Sequence, residues 1–281
     1  HRWYRRCTEI DYLPRPDPAE PQRFLYATRI GFGLRIEGRG ESVGEHLSDS
    51  TRTSSLKFWS DDPKSLIVDG SGYWQYVPTD DGVRFFTGYN YRTRFGLLGR
   101  LIDLAFRPLI GWATAWGFDC LRLWIERGIE PETSVERSLS HAVCRVTLAA
   151  IWIYQGIVPK LVFGETSGEL DTIRAAGMFE GNEHTVRYTA GGVEILIGLT
   201  LLIWWRGRGL LLAIIAMLVA LGVAAATAEP AILARQFNPV TLNIAMIALA
   251  TIAWRAGKDL PSAANCLRRP PATHTEQEDT P

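Results

Sequence analysis

Five polar side chains interrupt otherwise apolar runs in the second half of the chain: Tyr154, Gln155, Lys160, Glu194 and Asn243. A charge at the centre of a bilayer costs on the order of 2.5 to 3.5 kcal/mol and somewhat less near an edge, so such residues are expected to face a helix-bundle interior and find partners. If their helices are antiparallel neighbours, Lys160 and Glu194 lie at matched depth, roughly 5 to 8 Å below one membrane edge. Gln155 lies about a turn and a half deeper and Asn243 about a turn in from the same side. Two chemistries fit one cluster of these five. It could hold a quinone or another lipid-soluble head group, with Glu194 as proton carrier. It could equally be a Lys–Glu pair with amides acting as interhelical glue.

The elements that must position them are the apolar runs 146–163, 192–205, 209–226 and 240–254, each close to the roughly 20 residues a helix needs to cross a bilayer. They predict a four-helix transmembrane bundle. With the first half in the cytoplasm, one side carries Arg127, Arg137, Arg145, Arg206, Arg208, Arg255, Lys258, Arg268 and Arg269. The other carries Lys160, Arg174, Arg187 and Arg235, so both termini are expected to be cytoplasmic. His141 and Arg145, one turn apart at the start of the first span, could meet a lipid phosphate, meet the preceding domain, or anchor the interface. The loop between the first two spans is acidic and is assigned no ligand; a short helix is expected around 170–178.

Thirty Lys and Arg balance thirty Asp and Glu, and no dense basic stripe appears, which excludes a nucleic-acid partner. The four cysteines, Cys7, Cys120, Cys144 and Cys266, form no C-x-x-C pair, so neither a zinc site nor a dithiol centre is signalled, and all are expected reduced. His1, His46, His141, His184 and His274 are scattered and build no nucleophile–base arrangement, so no catalytic residue is assigned. Glu37, Glu41 and Glu45 read as a solvated strand face. The glycines at 31, 33, 38 and 40 never extend to G-x-G-x-x-G before a helix and read as turns or bulges. The chain opens on His1 rather than Met, and residues before it are expected to be missing.

In the first half, 23–30, 34–41, 52–60, 65–77 and 83–92 are dense in aromatic and β-branched residues and predict strands. Arg39-Gly40, Asp69-Gly70 and Thr79-Asp80-Asp81-Gly82 read as the turns of an antiparallel meander. Leu98, Leu101, Ala105, Leu109, Trp112 and Trp116 recur at helical spacing and predict a long helix laid across the sheet, kinked or divided at Pro108. Between sheet and helix, Trp59, Trp74, Tyr76, Phe85, Tyr89, Trp112 and Trp116 are candidates to line a cavity for a hydrophobic small molecule, or are ordinary core.

A curved sheet gripping a long helix resembles the helix-grip fold of the START or SRPBCC superfamily. The stretches S-L-I-V-D-G-S-G-Y-W-Q-Y-V-P at 65–78 and F-R-P-L-I-G-W-A-T-A-W-G-F-D at 106–119 carry the likeness to SRPBCC-type segments fused to DoxX-like domains in bacterial proteins. The opening strand and helices of that fold are not apparent, so it reads as N-terminally truncated. The second half resembles the DoxX-like family in W-I-Y-Q-G-I-V-P-K-L-V-F at 152–163, in Gly191-Gly192-Val193-Glu194, and in Phe237-Asn238-Pro239. That resemblance implies a bacterial inner-membrane protein. Some relatives are subunits of quinone-linked redox complexes, so other redox subunits are possible partners. The expected layout is a soluble α+β domain over 1–130, a polar linker over 131–140, an all-α bundle over 141–258 and a disordered tail over 259–281. The expected function is binding or transfer of a hydrophobic ligand by the soluble module beside the bundle. The alternatives are a quinone-linked oxidoreductase subunit and a non-catalytic membrane scaffold.

Overall fold

A computed structural model describes residues 7–17, 19–30, 33–48, 51–175, 177, 179–228, 230–234 and 238–267. The chain forms two compact units, one from the residues before Glu132 together with those from Pro261, the other spanning Glu132–Leu260.

The first unit is a six-stranded antiparallel meander: β1 (Cys7–Tyr12), β2 (Arg23–Ile30), β3 (Leu34–Ser48), β4 (Thr51–Trp59), β5 (Ile67–Thr79) and β6 (Gly82–Thr93), each paired with the next. Asp80 and Asp81 form the β5–β6 turn. Arg39-Gly40 and Asp69-Gly70, expected as turns, instead lie within β3 and β5. Their glycines make room for neighbouring rings: a Cβ on Gly40 would stand 2.3 Å from Phe24 Cζ, and one on Gly70 2.5 Å from Phe58 Cζ. A glycine under a cross-strand aromatic is a sheet device, not a break in the strand.

The long helix α1 (Gly96–Arg127) begins after Phe95, whose φ is 68°, and ends where Gly128, at φ 66°, turns its N–H back to Trp124. It runs through Pro108 as one element. Its sheet-facing stripe is not the leucine stripe expected. Tyr91 donates to Asp103 at 2.6 Å, Tyr91 meets Phe106 edge-on, and Phe85 meets Phe118 edge-on at 4.8 Å. Leu98, Leu101, Ala105, Leu109 and Trp112 lie about half a turn away, and all are exposed.

The expected disordered tail is ordered as far as the structure describes it. Residues 261–267 return to α1, where Asp119 accepts from Ser262 N at 2.7 Å, Asn265 Nδ2 at 2.8 Å and Arg122 Nε at 2.8 Å. Residues 268–281 lie outside the described residues.

The second unit contains α2 (Pro131–Ile157), continued by a π turn at Val158–Val162, then α3 (Glu169–Ala175), α4 (Glu183–Ile203), α5 (Arg208–Ala228) and α6 (Pro239–Ala256). Residues 131–140, expected as a linker, are the first turns of α2. Pro131, with its preset φ, starts the helix, and Glu132 sits in the first turn, where the helix dipole favours an acid. Four helices are long and apolar enough to cross a membrane: Pro131–Val162, Glu183–Ile203, Arg208–Thr227 and Pro239–Ala256. Their shared core includes Leu148, Trp152, Leu201, Leu211, Ile214 and Met246.

Candidate functional site

At the far end of α2, Pro159 cannot donate a backbone hydrogen bond, and the helix widens into a π turn closed by Phe163 N–H on Val158 O at 2.9 Å. Lys160 is carried on this turn and is buried. Its Nζ donates to Glu169 Oε1 at 3.2 Å and stands 3.0 Å from Glu194 Oε2. The second contact is Coulombic, because Glu194 Oε2 is buried without a donor in hydrogen-bonding geometry.

Close helix approach brings the pair together. A Cβ on Gly191 would lie 2.9 Å from Gly156 O and 3.2 Å from Lys160 Cβ, while one on Gly198 would lie 2.9 Å from Ala149 O. Small residues on both helices let α2 and α4 touch backbone to backbone, as membrane helices commonly do.

Beside this cluster, buried Arg187 of α4 donates to Glu165 Oε1 at 3.1 Å and stacks on Tyr188 at 4.6 Å, with its Nε unpartnered. His184 Nδ1 stands 3.6 Å from the same Glu165 oxygen. The acidic loop to which sequence reasoning gave no role therefore supplies a partner to both Lys160 and Arg187. Its only sequence signal was an excess of acid between two spans that each carry a cation near the same edge.

The other members of the expected cluster lie elsewhere. Tyr154 is exposed, and among the described residues neither it nor Gln155 hydrogen-bonds to Lys160 or Glu194. Five residues separate Gln155 from Lys160, which turns it about 140° round the helix. Asn243 donates across to Leu218 O of α5 at 3.5 Å.

His141 and Arg145 are neither surface anchors nor ready for a lipid phosphate, being 1% and 0% exposed. Arg145 donates from Nε and an Nη to Leu201 O at 3.1 and 2.9 Å and to Trp204 O at 2.8 Å. His141 Nδ1 lies 2.8 Å from Ala253 O and Nε2 lies 3.2 Å from Trp205 O, and the tautomer of the ring sets which of the two it donates to. Helices end with unsatisfied carbonyls, and these two side chains occupy those at the ends of α4 and α6.

Residues 149–251 match the DoxX-like family. The chain is also 48% identical over 157 residues, 55% of its length, to the uncharacterized membrane protein YndG of Bacillus subtilis (strain 168). It covers 58% of that relative's length. No solved structure matches. With four apolar helices, a region that matches the DoxX-like family and a membrane-protein relative, this is an integral membrane protein. The DoxX-like match contains Lys160, Glu165, Glu169, Arg187 and Glu194 and leaves out His141 and Arg145.

Before the DoxX-like domain, the seven aromatics expected to line a cavity divide differently. Tyr76 stacks on Phe85 at 4.7 Å, Trp74 meets Phe85 edge-on at 5.8 Å, and Tyr89 stacks on Tyr91 at 6.3 Å. Trp59 and Trp116 are half-buried and Trp112 is exposed. A cavity of about 510 Å³ opens instead beside β1, β2 and β3, lined by residues including Glu9, Asp11, Arg35, Glu37, Arg39 and Asp61, and by none of the seven. Arg35 is held there by Glu9 at 2.7 Å and Glu37 at 3.1 Å. Of the seven, Phe85 reaches α1, through Phe118, and Trp74 and Tyr76 pack on Phe85 in turn. Burial also pushes the Cys120 thiol, next to Asp119, up to about 12.

Proposed function

We propose that the working site of this protein is the Lys160–Glu169–Glu194 cluster of its DoxX-like domain, and that it holds the polar head of a lipid-soluble, proton-exchanging molecule of the quinone class. The carrying observation is charge: one buried ammonium stands within 3.2 Å of two carboxylates. The cluster becomes neutral when one carboxylate takes a proton, and Glu194, whose Oε2 is buried without a hydrogen-bond donor, is the proton carrier. Reducing a quinone to a quinol takes two electrons and two protons. The electrons come from a redox subunit acting as partner, and Glu194 relays protons. The first unit is a helix-grip module on the cytoplasmic side of a bacterial inner membrane, with both termini on that side.

One observation favours a scaffold instead. The Gly156–Gly191 contact makes Lys160–Glu194 a direct interhelical tie. Titrating a short-chain benzoquinone into the full chain in lipid nanodiscs, with and without Glu194→Gln, separates the readings. Loss of binding with unchanged thermal unfolding supports the quinone site. Unchanged binding, or no binding by either protein, refutes it, and failure of the variant to assemble favours the scaffold.

A further inference from the structure

The outward face of α1 is apolar along its first four turns. Leu97, Leu101, Leu104, Pro108 and Trp112 follow one another at spacings of four, three, four and four residues, so they form a single seam, with Leu98 and Leu109 beside it. Leu97 is 74% exposed, Leu101 57%, Leu104 75% and Trp112 48%. The opposite face is already engaged with the sheet through Asp103, Phe106 and Phe118. A contiguous apolar strip of this length on a folded unit marks a surface that something covers.

Charge and chain connectivity identify what covers it. Between Gly96 and Ala113 the exposed charges are Arg100 and Arg107. The one acid there, Asp103, faces inward and accepts from both Tyr91 and Arg107. An apolar seam bordered along one side by Arg100 and Arg107, with an indole at its end, has the composition of a helix lying in the headgroup region of an anionic bilayer. Only Gly128, Ile129 and Glu130 separate the end of α1 from Pro131, the first residue of a spanning helix. Three residues reach about 10 Å when extended, so the C-terminal end of α1 is tethered to a helix that enters the bilayer.

We propose that α1 docks its Leu97–Leu101–Leu104–Trp112 seam into the bilayer surface, making the first unit a lipid-embedded peripheral body rather than a freely tethered domain. This inference concerns the first unit and stands whether or not the bundle binds a quinone. The test uses the full chain in nanodiscs of phosphatidylcholine and phosphatidylglycerol, with a spin label at Leu97→Cys, at Leu104→Cys or, on the exposed sheet face, at Lys57→Cys. Collision with lipid-soluble oxygen is compared with collision with a water-soluble nickel chelate. The expected result is a ratio of oxygen to nickel collision above one at Leu97 and Leu104, rising with insertion depth, and below one at Lys57. Thermal unfolding of each variant is compared with the parent so that a misfolded sample is not read as exposure. A ratio below one at both seam positions overturns the proposal. So does low access to both reagents there, because the seam is then covered by protein, either a second copy or another part of the chain.

Discussion

Lys160 serves two carboxylates, and this makes the cost of disturbing the cluster asymmetric. Glu194→Gln leaves the ammonium paired with Glu169 at 3.2 Å, so the loss is about 1 kcal/mol or less. Lys160→Met strands Glu169 and Glu194 together. Breaking a fully buried pair costs about 3–5 kcal/mol, and with side-chain exposures of 28% and 20% the expectation here falls to about 2–3 kcal/mol. In the double variant one stranded carboxylate is removed, so it should recover about 1 kcal/mol relative to Lys160→Met alone. The assay is reversible unfolding of the full chain in mixed micelles, followed by tryptophan fluorescence, as a double-mutant cycle. Equal losses for the two single variants, or strict additivity in the double, would refute the shared-ammonium account.

Adjacent glycines provide a sharper steric comparison: Gly191→Ala should destabilise the bundle, because its methyl would meet Gly156 O at 2.9 Å, whereas Gly192→Ala, with nothing within 4 Å, should be neutral or stabilising by up to about 1 kcal/mol in the same unfolding assay. Arg145→Ala orphans the carbonyls of Leu201 and Trp204 and should cost about 3 kcal/mol or more, read as a lowered thermal midpoint, while Arg145→Lys recovers part of it. Cys120, raised to about 12, should resist alkylation at pH 8 until the chain unfolds. Because the folded thiol holds its proton more tightly than the unfolded one, its contribution to stability should decline as pH climbs from 9 toward 12. Asp119→Ala removes the acceptor for Ser262 N and Asn265 Nδ2, and amide exchange at Ser262 should accelerate while the sheet is unchanged.

Strand β2 was legible to the residue because alternation has one period and one solution, and the four spans were legible because bilayer thickness sets their length. What was misread depends on partners that a local pattern does not name. Gly40 and Gly70 look the same in sequence whether they turn the chain or lie beneath Phe24 and Phe58. The leucine seam of α1 has helical period, and period alone gives no phase: the most apolar stripe was assigned to the sheet, whereas mixed residues such as Asp103 and Phe106 face it. Lys160 and Glu194 could be brought together by counting depth from a shared edge. Glu169 and Glu165 could not, because a loop has no such ruler. Arg145 carries the signature of an interfacial anchor, and only the end of α4 folding against it turns it into a buried cap.

The seam between α2 and α4 is held differently at its two ends, and the difference bears on where the bundle can respond. Where α2 enters, Arg145 donates to the backbone carbonyls of Leu201 and Trp204, which neither titrate nor exchange partners. In the middle, Gly156, Gly191 and Gly198 bring backbone close against backbone. At the far end the ties are side chain to side chain: Lys160 divides itself between Glu169 and Glu194, Arg187 keeps an unpartnered Nε, and the turn carrying Lys160 is already widened by Pro159. Protonating one carboxylate there shifts Lys160 toward the other without breaking a helix hydrogen bond. On the proposed reading, a ligand head or a proton would act on this bundle at the Lys160 end, where the ties run between side chains.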